Sequence, residues 1–208
     1  MSRQINSSTA LTAAAGEAVR FANGNGFDAV TSQFPNRRAR TRLESFPTTM
    51  PLGQFLFEYL YQRGVRHSFG IPGDFALPTF TWLEKSKIHS ITMTHEPAAG
   101  FAADAYSRIN GIGLVCVTYC VGGLNVLNAI AGAYAEKSPV VVVSGAPGRK
   151  DREKDPLLHH KVKTFETQRR IYDEVTVAST VLLEEQRAAS EIVRCVEAFS
   201  ATQAPGLH

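Results

Sequence analysis

The run "PVVVVS", Pro139 to Ser144, most narrows what this chain can fold into. It is apolar at every position rather than at every second one. A strand with one wet face alternates, whereas a strand that is apolar throughout is covered on both sides. Ile112 to Tyr119 repeats the pattern, and the stretch between them, Gly122 to Glu136, carries helical spacing behind a "GG" start. Strand, helix and strand in that order predict parallel neighbours joined by a crossover.

The same alternation extends both ways. Leu52, Phe55, Leu56, Tyr59 and Leu60 recur at helical spacing before Gly64, and a short strand is predicted over Val65 to Ile71. A helix over Leu77 to Lys85, a strand over Ile88 to Thr94 and a helix over Pro97 to Arg108 follow, with proline in the last helix's first turn. A long loop is expected from Gly145 to Lys163, then a short helix over Glu166 to Tyr172. A strand is expected over Val175 to Thr180. A final helix over Glu184 to Thr202 places Ile192, Cys195, Val196 and Phe199 on one face. Right-handed crossovers turn this order into an α/β, doubly wound parallel sheet flanked by helices. Ligands of such sheets bind beyond the carboxyl ends of the strands. The last helix calls for one more strand, yet "ATQAPGLH" comes instead, so the domain over residues 50–208 reads as truncated at its carboxyl end.

Residues 1–49 differ in kind. They are rich in Ser, Thr, Ala, Gly and Asn, with a basic cluster at Arg37, Arg38, Arg40 and Arg42. That composition is expected of a disordered extension, with Met50 as an alternative start, or of an organelle-targeting segment. A net charge of +3 without a long Lys/Arg run gives no case for nucleic acid. No apolar run reaches membrane-spanning length. Three cysteines, Cys116, Cys120 and Cys195, form no disulfide framework or zinc spacing, and predict reduced thiols and a cytoplasmic setting.

Three places carry ionisable groups just after predicted strands or in the long loop. "GIPGDF" sets Asp74 behind a rigid Gly-Pro-Gly turn whose backbone amides lie open. "THEPAAG" sets Glu96 where a strand hands over to a helix, and "PLLHHK" pairs His159 with His160. Taken singly, Asp74 suits a helix cap, Glu96 a helix-dipole acid and the histidines a solvated loop. A carboxylate buried at a strand end, by contrast, needs a partner.

Jointly, "FGIPGDFALP", "THEPAAGFAADAYSR", "LNVLNAIAGAYAEKSPVVVVSGAPG" and "LLHHKVKTFETQ" resemble the amino-terminal, pyrimidine-binding domain of thiamine-diphosphate-dependent 2-keto acid decarboxylases. The resemblance runs from about Pro51 to about Ala201 and points most to the phenylpyruvate and indolepyruvate branch, with pyruvate as a further substrate. It implies that Glu96 meets N1′ of the cofactor's aminopyrimidine and shares a proton with it, which requires a dry, buried carboxyl. It implies that Asp74, His159 and His160 handle protons on the intermediate and on aldehyde release. It places Gly73, Thr118, Val121, Gly122 and Asn125 around the cofactor. Cys120 stands where glycine is usual in this family.

The resemblance also implies Mg²⁺ ligands on a second domain carrying a "GDG…N" motif, but no "GDG" occurs in this chain. No metal ligand is therefore assigned here, and a diphosphate-binding domain or subunit is expected in trans, within a homo- or hetero-oligomer. Two other readings stay open. The chain is a non-catalytic module docking on full-length relatives, or a fragment of an acetolactate-synthase-like enzyme. A nicotinamide-binding domain is disfavoured, because Gly111-Ile112-Gly113 lacks the third glycine and precedes a strand.

Overall fold

The computed structural model describes residues 18–20 and 45–202, with side chains described over 45–198. Most of the expected extension over 1–49 therefore lies outside the described residues. Within it, strand β1 (Ala18–Arg20) pairs antiparallel with β2 (Thr49–Pro51).

Helix α1 (Leu52–Gln62) comes next, and the five apolar residues picked out by their spacing are all buried. It ends where Gly64 takes φ +99°, a left-handed conformation that costs glycine nothing. The remaining elements are β3 (His67–Gly70), a 3₁₀ turn (Asp74–Ala76), α2 (Leu77–Lys85), β4 (His89–Thr92), α3 (Glu96–Asn110), β5 (Gly113–Val117), α4 (Val121–Ala135) and β6 (Val140–Ser144). After β6 come α5 (Arg149–Glu153), α6 (Thr167–Asp173) and α7 (Glu185–Thr202).

The four strands β3 to β6 form one parallel sheet in the order β4-β3-β5-β6. The order reverses between β3 and β5, and the carboxyl ends on either side of that point open a crevice. Helices cover both faces. Leu114, Cys116 and Val143 point into a core with α1, α2 and α7, built on Phe55, Leu56, Leu83, Ile192 and Val196. Val115 and Val117 point the other way, against Ala99 and Ala103 of α3 and Val126 and Ile130 of α4. Strand β5 is buried at all five positions because each of its two faces meets helices.

The sheet departs from expectation on its β6 side. Among the described residues "PVVVVS" is an outer strand, and Val140, Val141 and Val142 are half-buried rather than enclosed. The expected strand over Val175 to Thr180 is not a strand but an irregular segment. Its polar groups are engaged locally. The Thr176 hydroxyl donates to Tyr172 O at 2.6 Å and the Arg194 guanidinium to Ser179 O at 3.0 Å, while the Ser179 hydroxyl donates to Asp173. A cavity of about 450 Å³ separates this segment from β6, and Cys195 lines it instead of joining the core face of α7. The expected loop over Gly145 to Lys163 contains α5.

Candidate active site

The crevice is built from the segments after β3, β4 and β5. After β3 the chain turns through Ile71-Pro72-Gly73 into the 3₁₀ turn that opens with Asp74. After β5, Thr118 and Tyr119 stay buried, and Cys120 bends the chain into α4 with φ 52° and ψ −78°. That positive φ explains why a glycine suits this position: a side chain there strains the backbone, by about 1–3 kcal/mol for such outliers. The Cys120 amide is secured by donating to the buried Gln168 Oε1 at 2.7 Å.

Glu96 is the first residue of α3, where a carboxylate faces the positive end of the helix. The sequence places it at a buried strand end, but the structure leaves it half-buried. The reason is topological, because β4 is an outer strand of the sheet and its carboxyl end opens sideways. Its Oε2 accepts a hydrogen bond from Asn125 Nδ2 of α4 at 2.6 Å. Its Oε1 lies beside Gly122, so close that a Cβ there would sit 3.5 Å away.

Thr118 joins the two halves of the crevice. Its hydroxyl donates to Asp74 Oδ1 at 3.3 Å, while its methyl group would meet a Cβ on Gly122 at 2.9 Å. A Cβ on Gly73 would meet Thr118 Cβ at 2.5 Å. Both glycines therefore keep the chain low around Thr118, between Asp74 and Glu96. Val121 is exposed at the start of α4 on the same edge.

The long loop brings the histidine pair back to Asp74. His159 Nε2 contacts Asp74 Oδ2 directly, and His160 Nδ1 lies 3.8 Å from Asp74 Oδ1. Phe75 stacks on the His159 ring at 4.8 Å between centroids, and its amide donates to Asp74 Oδ1 at 2.9 Å. Burial pushes the Asp74 carboxyl up, but the His159 hydrogen bond, the Phe75 amide and the charges of His160 and His159 together hold it below the usual carboxylate range.

All the sequence-predicted residues thus reach one edge of the sheet, in two clusters that share Thr118. Phe75 and Gln168 also position the site, and no spacing rule singles them out. Cys116, Cys120 and Cys195 are free thiols. Burial pushes Cys116 up to about 12, which keeps it inert.

A model of the family described as thiamine pyrophosphate enzyme, N-terminal TPP binding domain, matches residues 50–170. The chain is 48% identical over 158 residues to an indole-3-pyruvate decarboxylase from Azospirillum brasilense, covering 75% of this chain and 29% of that protein. It is 45% identical over 148 residues to a pyruvate decarboxylase from Aspergillus parasiticus, covering 70% of this chain and 26% of that protein. It is 36% identical over 169 residues to pyruvate decarboxylase 4 from Arabidopsis thaliana, covering 78% and 28%. The chain spans less than a third of the length of these relatives. A parallel sheet with a crevice at its switch point, glycines cleared around Thr118 and an anchored glutamate at the helix start fit that match: the chain belongs to the thiamine pyrophosphate enzyme family, as its N-terminal TPP-binding domain.

Proposed function

We propose that the chain supplies the pyrimidine side of a thiamine-diphosphate site that decarboxylates a 2-keto acid to its aldehyde, with indolepyruvate, phenylpyruvate or pyruvate as substrate. The observation that carries this reading is the pairing of Glu96 with Asn125 beside Gly122, next to the Asp74, His159 and His160 cluster. Asn125 engages one carboxylate oxygen and leaves the other turned to the space over Gly122. That oxygen holds and passes the proton at N1′ of the aminopyrimidine. Gly73 and Gly122 admit the flat ring close to the backbone, where side chains would collide with Thr118. When bound, thiamine diphosphate supplies a nucleophilic carbon and an electron sink for the bond that releases carbon dioxide.

Asp74, held ionised, steadies the imidazole of His159, and the two histidines give and take protons at the product carbon. Glu96 is half-open in this chain, and closing a partner domain over it supplies the dry surroundings that proton sharing needs. The diphosphate anchor and its Mg²⁺ belong to that second domain.

A chimera tests the reading. Residues 50–202 replace the matching segment of the Azospirillum relative, and indolepyruvate decarboxylation is measured. The parent chimera is expected to turn over, and Glu96→Gln to lose at least about a hundredfold in rate, the usual contribution of a positioned proton-transfer group. A Glu96→Gln chimera running near the parent rate removes the role given to Glu96. A folded parent chimera without turnover removes the proposed activity.

A further inference from the structure

The cluster that would handle protons also has the makings of a metal site, which the proposed reaction does not use. Asp74, His159 and His160 each offer one ligand atom, and these atoms all lie within 4.8 Å of one another. His160 Nδ1 is buried without a hydrogen-bond partner, although it lies 3.8 Å from Asp74 Oδ1. A buried polar nitrogen left unpaired is unfavourable, and a cation between it and the carboxylate would relieve that cost.

The ligands are also oriented. Phe75 stacks on His159 at 4.8 Å and meets His160 edge-on at 5.8 Å. Asp74 Oδ1 is steadied by the Phe75 amide at 2.9 Å and the Thr118 hydroxyl at 3.3 Å. Such outer contacts fix ligand rotamers before a metal arrives. A tetrahedral zinc ion with bonds of about 2.0–2.1 Å holds its donor atoms roughly 3.3 Å apart. Reaching that geometry opens the direct His159–Asp74 hydrogen bond and draws His160 inward. Half of the Asp74 and His159 side-chain surface faces solvent, which leaves room for a fourth ligand such as water.

We propose that Asp74, His159 and His160 bind a borderline divalent transition-metal ion, with zinc as the reference, through two imidazole nitrogens and one carboxylate oxygen. Imidazole donors favour zinc, cobalt and nickel over magnesium, which prefers oxygen ligands. The site is therefore separate from the Mg²⁺ of the cofactor. Metal binding here does not rest on the proposed decarboxylation. Its consequence does: an ion on these lone pairs withdraws them from proton handling, so zinc inhibits the assembled enzyme.

Zinc alone is titrated calorimetrically into the tag-free 208-residue chain in the presence of excess Mg²⁺. One equivalent is expected to bind. Asp74→Asn and His159→Gln should each weaken binding at least about tenfold. His89→Gln, at the opposite end of β4, should leave it unchanged. Both test positions are exposed, and circular dichroism checks that the variants fold. Cobalt alone, used as a spectroscopic probe, should give visible ligand-field bands without thiolate charge transfer. The proposal is overturned if zinc fails to saturate one site, if Mg²⁺ displaces it, if neither substitution weakens it, or if a thiolate band assigns the metal to a cysteine.

Discussion

Asp74 shows how a single side chain takes its properties from neighbours distant in sequence. "GIPGDF" contains nothing that acts as an acceptor for His159, which lies in another loop, until the fold turns its carboxylate that way. The folded carboxyl sits below its ordinary value of 3.8 because burial, which raises it, is outweighed by hydrogen bonds and imidazole charge. A depressed folded-state pKa stabilises the protein above the unfolded value, and that stabilisation is lost as pH falls through the folded one. Asp74 is half-exposed, so water screens much of the effect. Asp74→Asn is expected to cost under about 1 kcal/mol at pH 7. Urea unfolding at pH 7 and again near pH 3 checks this. The gap between variant and parent should close at the acid end, and a gap that widens there contradicts the sign. Cys120 carries the same lesson. Its departure from glycine is visible in the sequence, but the reason, a φ of 52° at the β5–α4 junction, is a property of the fold.

Elements meet through a few polar contacts that hydrophobic spacing does not announce. Helices α1 and α7 share an apolar interface, and within it Glu197 is buried at 1% exposure. Tyr59 donates its hydroxyl to Glu197 Oε1 at 2.6 Å, and Arg63 Nη2 reaches the same oxygen at 2.5 Å. Burial, reinforced by that carboxylate, pushes the Tyr59 hydroxyl far up and keeps it a donor. Removing one partner strands a buried charge, at about 3–5 kcal/mol, whereas an apolar replacement of both is often neutral. Arg63→Met is therefore expected to destabilise by about 3 kcal/mol, and the combined variant Tyr59→Phe/Arg63→Met/Glu197→Met, which also removes the hydroxyl that Glu197 accepts from, to recover most of it. Denaturant midpoints of the two variants measure the difference. Equal losses in both would mean that the ion pair itself stabilises the α1–α7 contact. Close approach is the other device: a Cβ on Gly100 of α3 would lie 2.5 Å from Ala129 Cβ of α4, so these helices pack on small residues.

For the whole molecule, the fold places half of a site. The glycine-lined crevice, Glu96 and the histidine cluster share one edge, yet Glu96 remains half-open and no "GDG" occurs in the chain. Remote binding energy is what positions a reacting ring, so a pyrimidine cradle without a diphosphate anchor leaves the cofactor unheld. The isolated chain, supplied with thiamine diphosphate, Mg²⁺ and indolepyruvate, is expected to release no measurable carbon dioxide. Turnover by the chain alone would show that the anchor is dispensable. The parallel α/β sheet was legible in the residues alone, because apolar runs and helical spacing are local and repeat along the chain. The sequence also marked Asp74, Glu96 and the glycines that follow the strands. Which of the described strands lie outermost emerged from the packed fold and not from any local run. That left "PVVVVS" and Glu96 half-open, kept Val175–Thr180 out of the sheet and set His159 against Asp74. Burial and pairing depend on what packs from elsewhere, and no local pattern carries that information.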